Sequence, residues 1–244
     1  MRAFKRPLSM RQPESLSFGE LLYLFGRKIT KKLGIKTKGR YEWKFDSVID
    51  SSSIPELCLR TYLEFRDVRE YLEFVTSETK LSRIADVGCG FGRLIPLLAE
   101  FSPQVVGFER EKELLETARI LLPDYSFVCV EDLSILKCDG PPFDFVLVFT
   151  VLQHLTDDKA EAVLREIKNI TTPKSFILLC EQTDVSDVLG AIHDENALLQ
   201  YGRLTSTYEE WLPSFTLIKT SQRINESTYR RSNIGMYMLF QRKE

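Results

Sequence analysis

Twelve residues, Arg83-Ile-Ala-Asp-Val-Gly-Cys-Gly-Phe-Gly-Arg-Leu94, constrain the fold of this chain more than any others. Ile84 to Val87 is a short apolar run, the pattern of a buried strand. Gly88, Gly90 and Gly92 follow at alternate positions, and Leu94, Ile95, Leu97 and Leu98 then open an amphipathic helix. Strand, glycine turn and helix in that order form a nucleotide-binding βα unit. Glycine suits the turn because a side chain would keep a ligand from the backbone, and because tight turns visit positive φ. The spacing narrows the choice. A dinucleotide fingerprint, G-x-G-x-x-G, wants glycine where this chain has Arg93, and no Gly-Lys-Ser/Thr follows to make a Walker loop. Asp86 puts a carboxylate beside the turn, which suits an ammonium group better than a phosphate.

Further strands and helices can be read on either side. Ser53-Ile-Pro-Glu56 has the form of a capping box and predicts a helix running to about residue 77. Gln104 to Phe108 reads as a second buried strand ending in Glu109, an acid at the tip of the strand that can accept from both ribose hydroxyls of an adenosine-type ligand. Helical spacing over Glu111–Leu122 precedes a third strand, Ser126–Val130, which ends in Glu131 and Asp132. Phe143 to Thr150 is almost continuously apolar, as a central parallel strand should be. A helix over Asp157–Ile170 leads to a fifth strand, Phe176–Cys180, with Glu181 and Asp184 beyond its end. Residues 182–205 lack strong periodicity, and two strands separated by a polar loop close the chain near Phe215 and Gly235–Phe240.

Ala85-Asp-Val-Gly-Cys-Gly-Phe-Gly-Arg93 resembles the first motif of class I S-adenosylmethionine-dependent methyltransferases, and the likeness extends over about residues 55–244. It implies an α/β fold: a Rossmann-like, seven-stranded, mostly parallel sheet with an antiparallel C-terminal strand and helices on both faces. It implies S-adenosylmethionine as cofactor, held by Asp86, Gly88, Gly90, Gly92, Glu109, one of Glu131 and Asp132 at the adenine, and Phe149 and Thr150 at the end of the fourth strand. Arg60, Tyr62 and Arg66, before the first strand, are further candidates for the methionine carboxylate. Val151-Leu-Gln-His-Leu155 is similar to the family's segment after that strand. His154 in it is one of two histidines and the candidate general base for a hydroxyl acceptor; packing of the turn is the competing role, and His193 is a second candidate. Phe149-Thr-Val-Leu152 replaces the Asn/Asp-Pro-Pro-aromatic segment of amino-group methylating branches, which argues against nucleobase amines. Thr171-Thr-Pro-Lys-Ser175 replaces the family's usual Pro-Gly-Gly.

Composition bounds the setting. The 244 residues suffice for one α/β domain with an extension. Residues 1–40 hold eleven Lys/Arg against two Glu, although the whole chain carries a formal charge of −2. Phe18, Leu21, Leu22, Phe25, Ile29 and Leu33 make one apolar helix face in this arm, with Arg27, Lys28, Lys31 and Lys32 beside it. Such an arm packs on the domain, lies on an anionic membrane surface through residues 16–40, or touches nucleic acid, the least favoured of the three. The expected organisation is a basic extension over 1–40 and a catalytic domain over 41–244. The five cysteines show no C-x-x-C pair and no zinc spacing, and four of them sit in or near apolar segments, which suggests free buried thiols in the cytoplasm and no metal site. The resulting expectation is O-methylation of a small-molecule, glycan or glycolipid hydroxyl. The alternatives are a protein or RNA methyltransferase and a non-catalytic scaffold of the same fold.

Overall fold

The computed structural model describes residues 54–136, 139–183, 201–223 and 235–244, with side chains from residue 61 onward. The expectations for the basic arm, the domain boundary near residue 40, Asp184 and His193 lie outside the described residues, as does the side chain of Arg60. Tyr62–Glu244 form one compact unit.

In chain order the elements are α1 (Ile54–Thr76), β1 (Arg83–Val87), α2 (Ile95–Ala99), β2 (Gln104–Glu109), α3 (Lys112–Leu121), β3 (Ser126–Cys129), β4 (Phe143–Phe149), α4 (Asp157–Asn169), β5 (Thr171–Gln182), α5 (Thr205–Trp211), β6 (Phe215–Gln222) and β7 (Gly235–Arg242). A single 3₁₀ turn, Leu152–His154, lies between β4 and α4. The seven strands form one sheet in the order β3-β2-β1-β4-β5-β7-β6. The pairs β3–β2, β2–β1, β1–β4 and β4–β5 are parallel, and β7 runs antiparallel to both its neighbours. This is the expected Rossmann-like architecture.

The strands read as apolar runs because the central ones are covered on both faces. Every residue of β1 is buried, and β4 alternates its side chains between two cores. Phe145, Leu147 and Phe149 pack with Val68, Tyr71 and Leu72 of α1 and with Leu97 and Leu98. Val146 and Val148 pack on the other face with Val163, Leu164 and Ile167 of α4 and Tyr208 of α5. β5 is longer than the apolar run Phe176–Cys180. It starts at Thr171, and its pairing with β4 jumps from Phe143↔Thr171 to Phe145↔Phe176. The extra residues bulge, and Lys174 takes a φ of 64° within them. The irregular entry at Thr171–Ser175 is therefore built into the strand.

All five parallel strands end on one side of the sheet. The strand order reverses between β1 and β4, the kind of switch point at which open α/β sheets bind ligands.

Candidate cofactor and acceptor site

The glycine loop is hooked to β2: the backbone N–H groups of Gly88 and Cys89 both donate to the Phe108 carbonyl, at 2.8 and 3.0 Å. Gly88, Gly90 and Gly92 all have positive φ, at 76°, 58° and 81°. Their surroundings separate them. A Cβ on Gly88 would lie 2.3 Å from Val151 Cγ2, and one on Gly92 would lie 2.9 Å from Leu122 Cδ1. A Cβ on Gly90 would meet no atom within 4 Å. Gly88 and Gly92 are thus glycines for packing, whereas Gly90 is bare toward open space.

Carboxylates flank that opening. Glu109 is buried; its Oε2 accepts from Gly90 N at 2.8 Å, and its Oε1 accepts from Arg110 N and Glu111 N at 2.7 and 2.8 Å. Burial raises its pKa, and these three bonds oppose the rise. Asp86 is 2% exposed, and no donor among the described residues reaches its carboxylate. Burial pushes its pKa up to about 7; the Arg93 charge pulls it down and Glu109 pushes it further up. A buried carboxylate without a donor is costly, and a ligand ammonium would relieve that cost.

At the tip of β3, Asp132 Oδ1 accepts from Ser134 N at 2.9 Å, which holds its pKa below the usual range. Glu131 is exposed and uncommitted among the described residues. The Val130 N–H donates to Glu109 O at 3.0 Å, so this tip lies next to Glu109.

Phe149 closes the other side under two guanidinium groups. Arg93 and Arg223 lie 5.5 and 5.2 Å from its ring centroid. Each also pairs with one oxygen of Glu64, which is 2% exposed. Tyr62 is 66% exposed, and Arg66 pairs with its neighbour Asp67. The sequence offered a signal for Arg93, which directly follows the glycines. It offered none for Glu64 or Arg223, which meet from positions 159 residues apart.

Beyond Phe149 the backbone turns sharply. Thr150 has a φ of 55°, and its N–H donates to the Cys180 carbonyl at 2.8 Å. The 3₁₀ turn follows, with His154 half-buried. Gln153 Nε2 lies 3.2 Å from His154 Nε2. The Gln153 Oε1 atom is occupied by the Gln182 N–H at 3.1 Å, so the amide nitrogen is the donor and His154 Nε2 the acceptor. The imidazole proton is thereby assigned to Nδ1. Glu181, which the sequence puts just past the fifth apolar run, lies within β5 and is committed to the turn. It accepts from the N–H groups of Val151, Leu152 and Gln153, at 3.0, 3.0 and 2.9 Å. Three donors on two oxygens leave it poorly suited as a free base.

Residues 84–174 match the family model described as "Methyltransferase domain". This stretch is similar to a methyltransferase domain. The ubiquinone biosynthesis O-methyltransferase of Xanthomonas euvesicatoria is 27% identical over 151 residues, a match covering 58% of this chain and 62% of that protein. The enzyme of the same name from Xylella fastidiosa is 25% identical over 58% of this chain and 60% of its own length. The alignment thus spans about three fifths of these curated relatives. Among solved structures, magnesium protoporphyrin IX methyltransferase from Synechocystis, with bound SAH, superposes with a TM-score of 0.60 at 17% identity. That likeness covers 93% of this chain and 96% of the other. The N-methyltransferase NodS from Bradyrhizobium japonicum, in complex with S-adenosyl-L-homocysteine, gives 0.61 at 13% identity, over 90% and 99%. At these identities the likeness is one of fold, and the fold is that of class I methyltransferases.

Proposed function

We propose that the chain is an S-adenosylmethionine-dependent methyltransferase acting on an oxygen of a small molecule. The observation that carries this reading is the bare face of Gly90 between the carboxylates of Asp86 and Glu109. A flat, polyhydroxylated ligand with an ammonium group fits that donor set. Glu109 takes ribose hydroxyls, Asp86 the ammonium, and Arg93 with Arg223 the carboxylate. One of Glu131 and Asp132 serves the adenine, and the Ser134 contact of Asp132 favours Glu131.

The cofactor supplies a methyl on a sulfonium that is already a good leaving group, so the protein contributes chiefly alignment. A hydroxyl acceptor also needs a proton acceptor, and His154 is the group nearest the end of β4 suited to it. Its Nε2 can take a proton once the Gln153 amide lets go. The names of the curated relatives support an oxygen acceptor on a small molecule; a glycan or glycolipid hydroxyl is the finer form of the same reading.

Calorimetry with S-adenosylhomocysteine should give micromolar-range binding, and NAD should give none. Heat from NAD and silence from S-adenosylhomocysteine would overturn the assignment. The charge excess in residues 1–40 supports contact with an anionic membrane surface, which suits a lipid-linked acceptor. Among the described residues no helix is long and apolar enough to cross a membrane. Sedimentation with anionic vesicles should therefore depend on residues 1–40 and weaken with salt; no sedimentation of the full chain at low salt removes this part.

A further inference from the structure

The turn after β4 is held more firmly than a short connection requires. Its amino end presents three successive N–H groups, from Val151, Leu152 and Gln153, to the Glu181 carboxylate, itself 1% exposed. At its carboxyl end, Arg203 donates from Nη1 to Leu152 O at 2.7 Å and from Nη2 to Leu155 O. The third arm of that guanidinium, Nε, reaches Asp157 Oδ1 at 2.8 Å. Arg203 is 4% exposed and lies 5.4 Å from the Trp211 ring centroid and 5.5 Å from that of Tyr201.

A carboxylate thus faces the amino end of one helical turn and a guanidinium its carboxyl end, each placed to oppose the local backbone dipole; burial pushes the Glu181 pKa up to about 7, and the three N–H bonds oppose that rise. One further bond laces the turn to a neighbour, Tyr201 N to Gln153 O at 2.7 Å, and another ties Arg203 N to Gln182 O at 3.2 Å. Burying opposite charges contributes little to stability alone, since apolar residues of like volume often do as well, so stability by itself does not account for this pair. Two observations place the clamped turn at the site. Val151, the first residue clamped, fills the space beside Gly88 where a Cβ would stand. His154, the last residue of the turn, receives its hydrogen bond from Gln153, whose own amide is fixed through Gln182.

We propose that Glu181 and Arg203 are positioning residues: together they fix the Leu152–His154 turn against the glycine loop and hold the His154 imidazole in one orientation with its proton on Nδ1. The role in methyl transfer rests on the function proposed above; the geometric role does not.

The test uses the full chain labelled with ¹⁵N-histidine. There are two histidines, so a His154→Ala variant assigns the signals. In the native protein at alkaline pH, His154 should show one neutral tautomer, with Nε2 unprotonated. Glu181→Gln keeps the shape but aims an amide donor at backbone N–H groups. It should move or split the His154 signals toward a mixture of tautomers. Arg203→Lys keeps the charge but loses the three-armed fork, and it should disturb the same signals. Because the lysine retains the buried charge, it decides the matter if Glu181→Gln fails to fold. A melting temperature lowered by either variant with the His154 signals unmoved would overturn the proposal, leaving Glu181 and Arg203 as caps only. Binding of S-adenosylhomocysteine by the native chain is measured alongside. Its failure sinks the proposed function and leaves the positioning result standing.

Discussion

Gly90→Ala separates ligand contact from packing. The added methyl meets no atom within 4 Å in the folded chain, so the only cost to the fold is a φ of 58° at an alanine. That left-handed conformation costs an L-residue about 1–2 kcal/mol. In a domain of this size about 1 kcal/mol lowers the melting temperature by about 2–4 °C, so the loss should be about 2–8 °C. The control is Gly88→Ala. It bears the same backbone cost and also drives a methyl to 2.3 Å from Val151 Cγ2. Overpacking adds about 1–3 kcal/mol, for a total of about 2–5 kcal/mol and a clearly larger melting shift. Binding should rank the other way. In Gly90→Ala the methyl occupies the space the ligand approaches through, and affinity for S-adenosylhomocysteine should fall at least about tenfold, or about 1.4 kcal/mol. The assays are calorimetric binding and thermal unfolding of both variants in one buffer. If Gly90→Ala binds within about twofold of the native chain, the open face of Gly90 is not where the ligand lies, and the reading of the crevice fails.

Three further outcomes follow from the buried charges. With its pKa at about 7, Asp86 is partly protonated at neutral pH. An ammonium ligand favours the carboxylate, so binding near pH 7 should release protons, read as a dependence of binding heat on the buffer's ionisation enthalpy. The release should fade above about pH 8, where Asp86 is already ionised, and Asp86→Asn should reduce it. The sign for stability is the reverse of the usual carboxylate case. Folded Asp86 binds its proton more tightly than the unfolded group, so its contribution to stability falls as pH rises from about 4 to about 7. Asp86→Asn should therefore gain more in melting temperature at pH 8 than at pH 5 while binding more weakly; equal shifts at both pH values would contradict this. Glu64→Gln leaves two guanidinium groups without their shared anion. Breaking a buried pair costs about 3–5 kcal/mol, and the partial exposure of Arg93 and Arg223 places this case near the lower end. A loss under about 0.5 kcal/mol in denaturant unfolding would mean that solvent already balances the pair.

The strands were legible because burial on both faces leaves a plain signature. Ile84–Val87, Gln104–Phe108 and Phe143–Phe149 are apolar runs bounded by turns, and each is a strand at close to those limits. The start of β5 was not legible, since Thr171 to Lys174 joins the sheet through a bulge and carries no apolar pattern. At the site, the loop and its acids were visible as local spacing. Their division of labour was not: that Gly88 faces Val151, Gly92 faces Leu122 and Gly90 faces nothing depends on contacts made after folding. Glu181 illustrates the same limit. A carboxylate at a strand end reads as a ligand or a base, and only the turn that closes over it shows that it already accepts three backbone N–H bonds. Arg223 follows an unremarkable strand, and nothing near it in sequence marks its meeting with Glu64.

The position of β7 bears on how the site comes into being. The last strand in chain order is inserted between β5 and β6, and it closes an edge that β5 otherwise leaves bare along Phe176–Gln182. Tyr237 of this strand lies opposite Cys180, with its ring 6.2 Å from that of Phe149, and the backbone of Arg223 is tied to Gly235 at its head. During synthesis the glycine loop and both carboxylates emerge well before these residues do. A nascent chain that has formed β1 to β5 therefore has its anionic half in place while the cation from Arg223 and the floor beneath Phe149 are still missing. Until β7 slots in, the open edge of β5 is available to any other strand. The pairing of β5 and the anchoring of Arg223 at Gly235 thus depend on the same late segment.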